Sequence, residues 1–303
     1  MGIEKYKLSM TSPEVDAALQ RAAAGGALDQ RIDELGATPN PNLFINPLFQ
    51  IWQRYPSGYS GVPNNHYVCD GWRVLSSDGS KNNNFTSATP YGMASAAGGA
   101  NCTITQFLEN AAQFNGLQMT CSVLKILANG SQAFVTATKT AAGWTETTDI
   151  LAFFGTSSAW RWINPGETLI GAKLEVGSRQ TFAHKNSAGE WVPNSVPEIG
   201  GELSRCQRRL LKLARNARYR MVQSTSDTLF FTIPTPVTLR STPVFLSNDL
   251  MVFKSDTTQV TGFTFSVEKA STESVVVVAK KTDHGLSDAF LFVNGNTFLS
   301  ADL

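Results

Sequence analysis

Aromatic side chains carried on loops, and carboxylates scattered among them, are the residues of this sequence whose chemistry can be named first. Tyr55, Tyr59 and Tyr67 lie in or beside a stretch rich in Gly, Ser, Pro and Asn, and Trp160 and Trp162 bracket Arg161. A loop-borne Tyr or Trp offers an apolar face and a polar edge, which is what the C–H faces and hydroxyls of a sugar need from a shallow surface. The same bulk also suits a core, and Trp52, Trp72 and Trp162 are as well explained by burial. Glu146, Asp149, Glu167 and Glu175 stand near aromatics, and glycoside cleavage asks for two carboxylates at a set separation. Acids on an ordinary wet surface meet that condition easily. GxSxG, HExxH and GxxxxGK[ST] are absent, and His66, His184 and His284 are far apart, so the sequence reads as non-enzymatic. Cys69, Cys102, Cys121 and Cys206 form no CxxC and have no nearby His, which argues against zinc and for buried free thiols, although two disulfides are compatible with the count. No catalytic residue, metal or cofactor is assigned.

Strands must hold those loops. Leu117 to Val123 alternates between apolar and polar residues, Ala133 to Ala137 does so again, and Asn129-Gly130 between them marks a hairpin. In Leu169 to Val176 the residues Ile170, Ala172, Leu174 and Val176 fall on one face and Gly171, Lys173 and Glu175 on the other, the pattern of a strand covered on one side. Leu43 to Trp52 reads as an edge strand, because Asn46-Pro47 would break a central one. Past residue 217 short strands recur over 228–233, 243–247, 251–254, 262–267, 274–280 and 290–298, the spacing of a second small β-sandwich or barrel.

Two stretches read as helical. Ser12-Pro13-Glu14 is a helix start with an N-cap Ser and a first-turn Pro, followed by thin apolar stripes broken at Gly25-Gly26. Such short helices need a partner, so residues 1–38 are either an unfixed tail or a segment ordered by sister chains or a docking protein. The second helix covers 201–216, where Leu203, Cys206, Leu210 and Leu213 follow 3-4-3 spacing. A seam that narrow suits packing against copies of itself. From Arg205 to Arg220 the chain holds seven cations and no acid, which fits a polyanion, an acidic neighbour or a plain solvated helix face.

A resemblance runs through these landmarks. Gly171 to Ser178, then Thr181-Phe182 and Gly201 to Arg208, looks like the end of the carbohydrate-binding-module-like jelly roll of bacteriophage tail fibre and receptor-binding proteins. Asn42 to Arg54 is similar to that module's first strand, and Asp70-Gly71-Trp72 stands where the family has Asp-Arg-Trp. The final Phe298 to Leu303 also resembles the tail of such proteins. Two departures stand out: the inserted Gly71, and Ala183 to Val196, which is extra between strand and helix. The resemblance implies a tail-attached appendage that is a homotrimer, with partners among virion tail or baseplate proteins and host cell-surface polysaccharide.

With 303 residues, 42% of them hydrophobic, two domains can be built, and a net charge of +1 carries no nucleic-acid footprint. The start has no apolar signal region and no apolar run reaches membrane-spanning length, so assembly in a host cytoplasm without membrane insertion is expected. The expected fold is mainly β: an N-terminal helical attachment segment over 1–38, an antiparallel jelly-roll sandwich over 39–200, a connector and oligomerisation helix over 201–216 and a C-terminal β domain over 217–303. The expected function is a virion fibre or adhesin subunit that binds host glycan through Tyr55, Tyr59, Trp160 and Trp162. The alternatives are a purely structural tail, collar or head connector and, third, a polysaccharide depolymerase.

Overall fold

In the computed structural model the described residues are 40–63, 66–76, 83–96, 102–106, 108, 111–114, 116–140 and 163–301. Trp160, Trp162, Glu146, Asp149 and the 1–38 segment lie outside them. The stretch from Asn42 to Leu303 forms one compact unit.

The unit is mainly β and antiparallel. Its strands run β1 (Tyr59–Val62), β2 (His66–Tyr67), β3 (Arg73–Ser76), β4 (Asn83–Ser87), β5 (Met93–Ser95), β6 (Cys102–Thr105), β7 (Gln118–Ile126), β8 (Gln132–Thr140) and β9 (Thr168–Val176). A small hairpin, β10 (Ala183–Lys185) and β11 (Trp191–Pro193), leads into the one described α-helix, α1 (Ile199–Gln207). Then follow β12 (Leu210–Lys212), β13 (Arg218–Ser224), β14 (Thr228–Pro234), β15 (Val244–Ser247), β16 (Leu250–Lys254), β17 (Gln259–Val260), β18 (Thr264–Ala270), β19 (Ser274–Lys280), β20 (Ala289–Val293) and β21 (Phe298–Ser300).

A six-stranded sheet, β1-β4-β5-β9-β7-β8, and a three-stranded sheet, β2-β3-β6, both feed the first core. Val74 and Ile104 come from the small sheet, Phe85, Met93, Met119, Cys121, Ala172 and Leu174 from the large one, and Trp72 and Trp52 fill between them. Burying side chains of this size contributes about 2 kcal/mol each. The hairpin expected from the Asn129-Gly130 signal is present as β7 and β8, paired in register from Gln118 opposite Thr140 to Ile126 opposite Gln132.

Strand β9 departs from the one-sided expectation. It lies inside the sheet between β5 and β7, and a register irregularity near Leu124 and Lys125 lets Leu169, Ala172 and Leu174 enter the first core while Ile170 packs on the opposite side. The face holding Lys173 and Glu175 is covered as well, leaving them 5% and 0% exposed. They can be buried because they satisfy one another. Lys173 Nζ lies 3.2 Å from Glu175 Oε2 and donates to Thr181 Oγ1, while Thr181 donates its hydroxyl and its backbone N–H to the same carboxylate. Thr181 lies against the pair, and Leu48, Leu124, Phe182 and Ala183 form a second, smaller core.

The C-terminal half is built on a seven-stranded sheet, β17-β16-β20-β13-β14-β19-β18, and a three-stranded sheet, β12-β21-β15, sharing one core that includes Leu211, Phe231, Val277, Leu291 and Leu299. The expected strands over 228–233, 243–247, 251–254, 262–267 and 274–280 are present with small shifts, and the one expected over 290–298 is divided at Asn294-Gly295 into β20 and β21.

The 201–216 helix is corrected. Helix α1 ends at Gln207, and Leu210 belongs to β12, whose backbone pairs with Ser300 of β21. Cys206, Leu210 and Leu213 are 1%, 2% and 4% exposed, inside the fold of their own chain, so they offer no outward oligomer seam with Leu203. Pairing with β21 outweighs helical periodicity here, because an extended Leu211 reaches the C-terminal core that a helical one would miss.

Candidate functional site

Three of the stretches that carry the sequence resemblance, Asn42 to Arg54, Asp70 to Trp72 and Gly201 to Arg208, meet at one point, and that point is a lock rather than a cleft. Leu43 to Trp52 is not a regular strand: Asn46 and Phe49 adopt left-handed backbone conformations, with φ of 50° and 54°. Asn46 is 2% exposed, and its side chain accepts from the N–H groups of Gln50 and Ile51 and donates to the carbonyls of Ile51 and Asp70. Its own N–H donates to Glu202 Oε2 at 2.8 Å, and its carbonyl accepts the Trp72 indole N–H at 2.8 Å. Glu202 is in turn held by Arg205 Nη1 at 2.6 Å, while Arg205 Nη2 donates to the carbonyls of Asn42 and Phe44. Gln53 completes the join by bonding the Asp70 carboxylate and the Leu210 carbonyl. Gly71 fits for a steric reason: its φ is +81°, and a Cβ there would stand 2.8 Å from Ile45 Cγ1.

A loop carrying aromatic side chains leaves this lock just after Gln53. Tyr55 to Gly58 forms a turn closed by Gly58 N–H to the Tyr55 carbonyl at 2.9 Å. At Gly58 φ is +97°, and a Cβ would meet the Phe85 carbonyl at 2.4 Å, so glycine alone lets the turn lie against β4. The turn lays Tyr55 on Tyr59, with ring centroids 3.9 Å apart and planes 22° from parallel. Both rings are half-buried. Burial and the hydrogen bond with Tyr59 push the Tyr55 phenol up to about 12, so it keeps its proton at neutral pH. The guanidinium of Arg54 lies 4.5 Å over the Tyr67 ring. Exposed Ser60 and Gly61 donate to Asn84 Oδ1 at 2.8 and 2.7 Å beside them. Tyr55 and Tyr59 are thus brought together as a ledge.

A second aromatic surface, unforeseen in the sequence, lies at the opposite edge of the same sheet. Gln132 at the start of β8 accepts the Trp191 N–H at 2.7 Å and donates to the Trp191 carbonyl at 3.1 Å. Trp191 stacks on Phe134 at 4.3 Å, and Phe134 on Phe182 at 6.4 Å. An open groove of about 510 Å³ is lined by Ile126, Gly130, Gln132, Lys185, Glu190 and Trp191, among others. In the sequence Trp191 lies within Ala183 to Val196, the passage that is extra between strand and helix. Asn186 to Gly189, flanked by Ala-His-Lys and Trp-Val-Pro, was the hairpin signal that could have found it.

Of the acids near aromatics, the two that are described are committed elsewhere. Glu175 is paired with Lys173, and Glu167 accepts from Lys125 Nζ at 2.7 Å and from both Asn164 nitrogens. Burial pushes the Glu167 carboxyl up, but those hydrogen bonds prevail and hold it below its ordinary value. The seven cations from Arg205 to Arg220 do not share a face. Arg205 points into the lock, Lys212 lies over Phe298, Arg215 donates to the Asn294 carbonyl, Arg218 lies over Phe292 and Arg220 is 3.5 Å from Asp288. Cys69, Cys121 and Cys206 are buried free thiols, and among the described residues no group of three or more His, Cys, Asp or Glu could hold a metal. No described helix is long and apolar enough to cross a membrane. No protein-family model matches the chain, and neither a curated protein nor a solved structure matches it.

Proposed function

We propose that the chain is a non-enzymatic subunit of a phage virion fibre or adhesin, with a jelly-roll region that binds host-surface glycan through loop aromatics. The observation that carries this reading is the Tyr55–Tyr59 ledge, two half-buried phenols stacked at 3.9 Å on a turn whose glycine lies tight against the sheet. A ledge already assembled loses little freedom when a sugar ring settles on it. Around it Ser60 and Asn84 supply hydroxyl and amide groups, and the Tyr55 phenol, protonated and hydrogen-bonded to Tyr59, offers its oxygen as an acceptor. The proposed subunit attaches to the tail or baseplate through residues 1–38 and acts as a homotrimer. One ledge binds weakly, and linking several raises avidity by about 10²–10⁴.

The test is cell adsorption, with glycan-array binding beside it, for Tyr55→Ala and Tyr59→Ala in the full chain. Both variants should stay folded and lose most of their adsorption. Adsorption equal to the parent protein in both would reject the ledge as the receptor site, and a blank array for the parent would favour the structural connector.

A further inference from the structure

We propose that the groove between the Ala183–Pro193 hairpin and the β7–β8 turn is a second saccharide site, which takes one uncharged pyranose against the face of Trp191. The inference rests on the glycan-binding reading for its biological meaning, but it concerns different residues at the other edge of the sheet.

Trp191 is fixed before any ligand arrives. Both its backbone groups are held by the Gln132 amide, and one ring face is backed by Phe134, which is rooted in the second core. Rigid backing is what a stacking platform requires, because a ring free to turn would lose that freedom on binding. The Lys185 ammonium lies 5.5 Å from the Trp191 centroid, and among the described residues that ring is its only partner. A partly hydrated cation over an indole is held by about 1 kcal/mol, so its long stem can move aside for a sugar's C–H face. The ammonium then stands where it can donate to a ring hydroxyl.

Glu190 decides the charge of the ligand. Its Oε2 accepts from Asn186 Nδ2 at 3.2 Å, and among the described residues its Oε1 accepts from no protein group. A carboxylate with a free oxygen bonds sugar hydroxyls well, since charge-assisted bonds are the stronger kind. With Lys185 and Glu190 lining one groove, their charges cancel and leave no net field to favour an acidic or an amino sugar. A neutral ring with neighbouring hydroxyls meets both groups without repulsion. The volume of about 510 Å³ lies within the range of small-ligand clefts.

The six indole N–H signals of the ¹⁵N-labelled full chain provide a direct readout, with Trp191→Phe identifying the one that matters. The probes are the methyl glycosides of glucose, galactose, mannose and N-acetylglucosamine, with methyl glucuronide as the charged comparison. At least one neutral glycoside should move the Trp191 signal saturably at millimolar concentration, with little change on adding salt. Lys185→Ala and Glu190→Gln should each weaken that binding roughly 5- to 10-fold, as expected for loss of one hydrogen bond. Tyr59→Ala should leave it unchanged, so that failure of the ledge and failure of the groove are read apart. Should Trp191→Phe disturb the other five signals, Lys185→Ala, which alters no backbone contact, identifies the signal instead. A Trp191 signal that no neutral glycoside moves, or that methyl glucuronide alone moves in a salt-dependent way, overturns the proposal.

Discussion

Replacing Asn46 tests the lock at its most constrained residue. The side chain makes four hydrogen bonds, two from N–H groups and two to carbonyls, at a site 2% exposed and with φ of 50°. Asn46→Ala strands the N–H groups of Gln50 and Ile51; the Ile51 carbonyl keeps the Asp70 N–H at 3.0 Å, so it is spared. A buried donor left unsatisfied costs about 1–3 kcal/mol, and an alanine in the left-handed region costs roughly 1 kcal/mol more. With one donor buried and the other partly so, the expected loss is about 4 kcal/mol, a large share of a typical stability of roughly 5–15 kcal/mol. Asn46→Gly loses the same bonds without the backbone strain and should recover about 1 kcal/mol. Urea unfolding followed by tryptophan fluorescence measures both, since Trp72 donates to the Asn46 carbonyl and reports the site. A loss below about 1 kcal/mol for the alanine variant, or a glycine variant less stable than it, refutes the reasoning.

Two more predictions concern stability. Leu210→Asp buries an unpaired charge beside β21 and should cost roughly 3–5 kcal/mol, so circular dichroism with light scattering should show loss of fold rather than folded subunits released from an assembly; well-folded dissociated chains would contradict the burial. Glu167 titrates below its ordinary value of 4.5 in the folded state, so its contribution is complete above that value and is lost as pH falls through the lower, folded one. Lys125→Met should therefore lower stability at neutral pH and flatten its fall in acid, measured as midpoints of thermal unfolding across pH; an unchanged acid profile would count against the pair.

Much of the β architecture was legible because alternation and turn chemistry agree locally. Gln118–Ile126 and Gln132–Thr140 meet around Asn129-Gly130, and Ser274–Lys280 stands where its valines put it. Local pattern misled where a distant partner decides the outcome. Leu210 and Leu213 keep helical spacing with Leu203 and Cys206, yet β21 draws Leu210 into a strand. Lys173 and Glu175 alternate like a wet face, and period two does not distinguish water from a buried ion pair. That Tyr55 and Tyr59 share a loop was legible because Pro56, Ser57 and Gly58 mark a turn. Trp191 was missed because its hairpin is short and its strands carry little β pattern. Three of the resemblance motifs are neighbours in space, which the separation of Asn46, Trp72 and Glu202 in sequence could not convey.

Strand β21 occupies the middle of its sheet, between β12 and β15. A ribosome delivers β12 and β15 well before β21, so Leu211 and Phe245 emerge early and wait for Leu299, their common neighbour across the sheet. During synthesis the earlier block can close around Trp72, while β12 stays an open edge, with Gln53 ready to hold the Leu210 carbonyl on one side only. Unpaired edges of this kind recruit other chains, and the delay grows with the length of chain still to be made. Folding of the second half is therefore timed by its last strand, and a growing chain paused before Phe298 is the species most exposed to misassembly.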